Sequence, residues 1–243
     1  MSGHSKWKNI MHKKEKTDAQ RAKVFTKIGK EIAIAVKEGG SDPSINSKLR
    51  DLIMKAKSNN VPNDNIDRVI KKAAGGEGVN YDVIFYEGYG PLGVAIIVET
   101  TTDNRNRTGA DMRHYFDKYG GNLGTTGCVS FMFADKGVIV IESEDINEDK
   151  FMEDALESGA VDFAKEDEVF EVFTDPTELD DVKKVLTDKG YSFLSAEVEK
   201  IPSTYVRIDD EESITKMNRL LEMLEDNDDV QNVWHNWEND EER

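Results

Sequence analysis

The side chains best equipped for chemistry in this chain are few: His4, His12, His114, His235 and the single Cys128. An imidazole works as a general base or metal ligand beside an orienting carboxylate or a second ligand. No HxxxH, HExxH or CxxC spacing supplies one here. Cys128 lies in a Val-, Phe- and Met-rich stretch that predicts a strand, Cys128–Phe133, so its thiol reads as a buried structural group rather than a nucleophile. Acidic runs such as Glu142-Ser143-Glu144-Asp145 lack the alternating ligands and central glycine of a calcium loop and read as solvated surface. The stretch YEGYGPLG holds Gly88 and Gly90, half of a dinucleotide fingerprint. A phosphate cradle needs a helix N-terminus behind it, and here a second strand follows, so an inter-strand turn with Tyr89 as an exposed contact is expected. The chain therefore reads as a non-enzyme, with no catalytic residue, no metal, no cofactor and no small-molecule substrate.

The chemistry that does stand out is phosphate binding. The chain is acidic overall, with 32 Lys and Arg against 49 Asp and Glu and a formal net charge of −17. Residues 1–80 nevertheless carry 17 basic and 9 acidic residues, a net of +8, which leaves −25 for the remainder. Such a split points to an interaction arm. Lys6, Lys8, Lys13, Lys14 and Lys16 attract phosphates, and Trp7 among them can stack on an unpaired base. Arg21, Lys23, Lys27 and Lys30 continue the charge; the last three recur at four- and three-residue spacing, so they share a helix face able to follow a phosphate backbone. The competing reading is a solubilising tail. A second cluster, TTTDNRNRTGAD, places Arg105 and Arg107 between a strand end and a helix start, where guanidinium groups and backbone N–H groups converge on a phosphate. Alternatively, Asp103 or Thr108 caps that helix and the arginines pair with nearby acids.

The elements that must hold these groups follow from periodicity. Thr17-Asp18-Ala19-Gln20 is a capping box, and Phe25, Ile28, Ile32 and Val36 form one apolar face up to Gly39-Gly40. A second helix is expected from Ser41-Asp42-Pro43, burying Ile45, Leu49, Leu52, Ile53 and Ala56. A third, capped by Asn63 or Asp64, buries Ile66, Val69, Ile70 and Ala73. Beyond Gly78 come strands Tyr81–Tyr86 and Leu92–Thr101, a helix with Met112, Tyr115, Phe116 and Tyr119 on one side, and strand Cys128–Phe133. Residues 137–200 read βαββαβ, the split βαβ or ferredoxin-like order, from Val138–Ile141 to Phe193–Val198. Strand Tyr205–Ile208, a helix around Leu220 and strand Val230–Trp234 close the chain. The expected fold is α+β: a basic helical head (1–79), a discontinuous ferredoxin-like domain (80–133 with 203–243), and an inserted βαββαβ domain (134–202). No apolar run approaches the roughly 18–20 residues a bilayer span needs, no apolar segment follows the basic N-terminus, and one cysteine suits a reducing compartment. A cytoplasmic protein without membrane partners is expected, and Asn106-Arg107-Thr108 is a chance glycosylation match.

GHSKWKNI, FTKIGKEIAIAVKEGG, DLIMKAKSNNVPNDNIDRVIKKAAG, YEGYGPLGVAIIVETTTDNRNRT and YGGNLGTTGCVSFMF follow one another along the chain. In these motifs, across essentially its whole length, the chain resembles the YebC/PmpR family, which includes the mitochondrial translational activator of cytochrome oxidase. The resemblance implies three domains, a helical head and two α+β domains, and no catalytic residues. It implies a DNA-binding transcriptional regulator, or alternatively a ribosome-associated factor that binds RNA and eases synthesis of difficult sequences such as proline runs. Lys6, Trp7, Lys8 and Asn9 match its opening motif, and Asn104, Arg105, Asn106, Arg107 and Thr108 its central one. Met11-His12 departs from the Lys-His of many relatives and slightly lowers the arm's charge. Against base-specific DNA reading, no helix shows Arg, Asn and Gln together on one exposed face.

Overall fold

Ile28, Ile32, Ala35 and Val36 recur at helical spacing and form the buried stripe of α1 (Asp18–Gly39) in the computed structural model. That structure describes residues 18–76, 78–166 and 168–239, with side chains from Ala22 onward. Thr17, the first residue of the expected capping box, lies outside them. Gly40, at φ +86°, ends α1 in the left-handed conformation that glycine adopts without a Cβ clash. Helix α2 (Ser47–Ser58) begins later than the sequence predicts. Asp42 turns its carboxylate onto the Ser44 N–H and hydroxyl instead, and Asn46 is the cap, accepting from Leu49 N at 3.0 Å. The Asn46 amide also donates to Ala35 O and Gly40 O, both at 2.8 Å, tying the end of α1 to the start of α2. Ile45 is left outside the helix and 80% exposed, against the expectation that it is buried. Helix α3 (Asn63–Ala74) follows Pro62 and has no side-chain cap, neither Asn63 nor Asp64. Leu49, Leu52, Ala56, Ile66 and Ala73 close on the α1 stripe as the head's core.

The same compact unit, residues 18–129 with 209–235 among those described, contains the first sheet. Strands β1 (Asp82–Tyr89) and β2 (Ala95–Thr102) pair antiparallel from Asp82↔Thr102 to Tyr89↔Ala95. The loop between them, Pro91–Gly93, holds Leu92 at φ +54°. Helix α4 (Arg105–Lys118) and the two-residue β3 (Asn122–Leu123) follow, and α7 (Glu211–Asp226) and β8 (Val230–His235) return to the sheet, whose order is β3-β1-β2-β8. Met112 and Phe116 of α4 and Met217, Leu220, Leu221 and Leu224 of α7 are buried, the amphipathic pattern of helices that cover a sheet. Gly88 is required on β1: a Cβ there would lie 2.6 Å from Asn122 O and 2.8 Å from the Phe116 ring. The predicted strand Cys128–Phe133 is not one. Residues 125–129 turn, Ser130–Met132 form a single 3₁₀ turn, and the strand starts at Phe133.

The second unit comprises residues 130–208 with 236–239 among those described. It runs β4 (Phe133–Glu142), α5 (Glu148–Glu157), β5 (Asp162–Glu166), β6 (Val169–Thr174), α6 (Leu179–Asp188) and β7 (Ser195–Pro202). The antiparallel order β5-β6-β4-β7 is that of a ferredoxin-like sheet. Ile139, Ile141, Phe170 and Val172 pack with Phe151, Ala155, Val182 and Leu186, while Val138, Val140, Val169 and Phe173 form a second cluster. The alternation follows from the two-residue repeat of a strand. Strand β7 begins two residues later than predicted, and residues 205–208 form one isolated bridge, Val206↔Trp237, in place of the expected strand. Buried Asn239 secures that bridge, accepting from Ile208 N and donating to Ile208 O. The chain thus has the α+β fold, with a helical head and two four-stranded antiparallel sheets.

Candidate nucleic-acid interface

Lys6, Trp7, Lys8, Lys13, Lys14 and Lys16 lie outside the described residues, as does the side chain of Arg21. Lys23, Lys27 and Lys30 do share one face of α1, as their spacing requires, and that face meets the end of α7. Lys23 Nζ pairs with the Asp226 carboxylate at 2.9 Å and donates to Asp226 O at 3.2 Å. Lys27 donates to Glu225 O at 2.7 Å, and Lys30 to Asp228 O at 2.9 Å. The last carbonyls of a helix lack intrahelical donors and carry the negative end of its dipole, so lysines are the natural groups to satisfy them.

Asp229 lies just beyond that helix end and is 4% exposed. Its carboxylate accepts from Lys30 at 2.6 Å, Arg107 at 2.7 Å, Thr108 at 2.8 Å and Thr102 at 3.2 Å. Burial raises the carboxyl's pKa, but the hydrogen bonds from Arg107, Lys30 and Thr108 outweigh it and hold it at about 2. Arg107 also pairs with Asp103 at 2.8 Å, and these two carboxylates hold its guanidinium firmly charged. Arg105 stands apart and forks onto Asp82, Nε at 2.7 Å and Nη2 at 2.9 Å. Helix α4 is capped by Asn104, which accepts from Arg107 N at 3.1 Å; neither Asp103 nor Thr108 is the cap. The structure therefore brings Lys30 and Arg107 together on one buried carboxylate and leaves Arg105, Lys23 and Lys27 on separate partners within the chain.

The glycine-rich loops are locked from beneath. Buried Glu87 accepts from Gly127 N at 2.8 Å and Val129 N at 2.9 Å. Tyr89, expected as an exposed contact, is half-buried and donates to Cys128 O at 3.0 Å. Burial, and then the Glu87 carboxylate, push the Cys128 thiol above its ordinary pKa, which disfavours the nucleophilic thiolate. Among the described residues no group of three His, Cys, Asp or Glu side chains could hold a metal ion.

Sequence reasoning passed over a different set of cations. Arg50 and Lys57 on α2, and Arg68, Lys71 and Lys72 on α3, are exposed. None has an ion-pair or hydrogen-bond partner for its side chain among the described residues. Their signal was present as the seven-residue separation of Arg50 and Lys57 and the 68/71/72 spacing, each on the face away from the helix's apolar stripe.

Two family models cover this geometry: the TACO1/YebC protein N-terminal domain over residues 5–76, and the TACO1/YebC second and third domain over residues 81–237. A "Probable transcriptional regulatory protein" of Acetivibrio thermocellus is 61% identical over 98% of this chain and 99% of its own. One of Ruminiclostridium cellulolyticum with the same description is 59% identical over 100% of this chain and 98% of its own. The crystal structure of a conserved hypothetical protein from Aquifex aeolicus superposes with a TM-score of 0.83 at 45% identity, over 91% of this chain and 92% of that one.

Proposed function

On the premise that the chain belongs to the TACO1/YebC family, we propose that it is a non-enzymatic regulator of gene expression that binds nucleic acid, with DNA as its target. The observation that carries this reading is the segregation of charge, +8 in residues 1–80 against −25 in the rest. An acidic body repels phosphates, so a chain that must hold them gathers its cations at one end. The contact residues proposed are Lys6, Trp7, Lys8, Lys13, Lys14, Lys16 and Arg21. Lys23, Lys27, Lys30, Arg105 and Arg107 have partners within the chain, so a phosphate reaches them only by displacing a carboxylate or carbonyl. The regulatory role rests on the relatives' descriptions as transcriptional regulatory proteins. The protein is taken as cytoplasmic; no described helix is long and apolar enough to cross a membrane.

Trp7 favours a second reading, a ribosome-associated translation factor, because an indole stacks only on an unpaired base, which RNA loops offer and duplex DNA does not. Ultraviolet crosslinking of the full chain in cells, followed by identification of the attached polymer, decides between them. Promoter-length DNA supports the first reading and ribosomal RNA the second. The absence of either above a mock control refutes both.

A further inference from the structure

We propose that the outward faces of α2 and α3 contact a nucleic-acid phosphate backbone through Arg50, Lys57, Arg68, Lys71 and Lys72. This rests on the nucleic-acid reading above and names the surface of the described head that executes it. In a chain where carboxylates outnumber cations, 49 to 32, an exposed cation ordinarily finds one. Lys48 pairs with Glu38 at 3.0 Å and Lys55 with Glu31 at 3.5 Å, both from α2. The five have no such partner. Elsewhere among the described residues Arg113, Lys118 and Lys184 are exposed without an ion-pair or hydrogen-bond partner, Lys118 lying over the Tyr119 ring, and exposed Lys37 has only carbonyl and amide acceptors; none of these adds to a group of five on two neighbouring helices.

Placement reinforces the point. Arg50 and Lys57 are seven residues apart, nearly two turns, so they project from one side of α2 about 10 Å apart along its axis. That separation lets them reach different phosphates. Met54 lies between them, 52% exposed, while Leu49, Leu52 and Ala56 face the core. On α3, Arg68, Lys71 and Lys72 stand at i, i+3 and i+4, opposite buried Ile66 and Ala73. Five long cationic side chains on rigid helices, with one half-buried amide, Asn65, on the α3 face, suit the phosphate chemistry common to DNA and RNA rather than base reading. One structural alternative exists: Lys57, Lys71 and Lys72 lie in or beside the last turns of their helices, where positive charge also favours the dipole.

The test is binding of the full chain to an unstructured single-stranded RNA and to a DNA duplex of equal length, by fluorescence anisotropy across a salt series. The variants are Arg50→Gln/Lys57→Gln/Arg68→Gln/Lys71→Gln/Lys72→Gln and, as comparison, Lys23→Gln/Lys27→Gln. The fivefold variant is expected to bind at least about tenfold more weakly and to flatten the log–log salt slope by up to about 3.5 on RNA or 4.5 on duplex. Lys23→Gln/Lys27→Gln should keep the parent slope. If the fivefold variant does not fold, Arg50→Gln/Lys57→Gln alone should flatten the slope by roughly 1.5. A preserved slope in the folded variant, with or without lower thermal stability, overturns the inference and leaves the nucleic-acid reading standing. A parent chain that binds neither polymer overturns both.

Discussion

Replacing Asp229 with Ala should unfold the region where α1, α4 and the end of α7 meet. The carboxylate is almost fully buried and joins Lys30, whose side chain is 11% exposed, to Arg107, Thr108 and Thr102. Removing it strands a buried ammonium, while Arg107 keeps Asp103. Breaking a buried pair from one side costs about 3–5 kcal/mol, and here the Thr101 and Asp228 carbonyls still solvate Lys30, at 3.2 and 2.9 Å, which favours the lower end. Asp229→Asn keeps an acceptor for Thr108 but loses the charge. The native carboxyl, at about 2 against an ordinary 3.8, sets that loss at roughly 2–3 kcal/mol. Hydrogen exchange read on peptides covering β2 and β8 is the appropriate assay, because a two-unit chain need not melt in one step. Exchange there should accelerate about 10²–10³-fold in Asp229→Ala at pH 7. Lys30→Met alone should do less, since Arg107 and Thr108 still hold Asp229. In acid the sign is fixed by the depressed pKa: the Asp229 contribution is complete above pH 3.8 and disappears as the pH falls through about 2. Parent-like exchange in Asp229→Ala would refute the reasoning.

Leu92 stands at φ +54° and is 62% exposed, so Leu92→Gly removes left-handed strain and should raise stability by about 0.5–1 kcal/mol; a lower melting temperature would mean that Leu92 is held by packing instead. Gly88→Ala drives a Cβ into Asn122 O and the Phe116 ring and should cost about 1–3 kcal/mol or more, seen as lost protection in β1 and β3; unchanged protection would contradict the close packing. Arg105→Ala breaks only a solvent-exposed pair with Asp82 and should leave the melting temperature within error, whereas Arg107→Ala, which weakens the hold on Asp229, should lower it measurably. Equal effects would show that the two arginines are equivalent.

Local signals carried most of the fold. Ile28, Ile32 and Val36, like Leu49, Leu52 and Ala56, declare their buried faces by spacing alone, and all six are buried. The βαββαβ order of residues 133–202 was legible because each strand alternates or runs apolar between turn residues. What failed was settled by competition within a few residues or by distant partners. Asp42 turns onto Ser44, so Asn46 caps α2 and Ile45 falls outside it. The apolar look of residues 128–133 gives way because Glu87, some forty residues upstream, claims the N–H groups of Gly127 and Val129. Lys23, Lys27 and Lys30 were correctly placed on one face, yet the carbonyls and carboxylates that take them lie at 225–229. Nothing local in the sequence announces a partner two hundred residues away. The unpaired cations of α2 and α3 become visible only once the pairing of all the others is known.

The measurement that tests the central claim most directly is the salt dependence of the full chain's affinity for nucleic acid. If the six cations proposed in residues 6–21 and the five on α2 and α3 each neutralise a phosphate, log K should fall linearly with log salt, with a slope of up to roughly −8 on single-stranded RNA or −10 on duplex DNA. Binding too weak to detect at low salt, or an affinity that does not change with salt, would contradict a phosphate-gripping head.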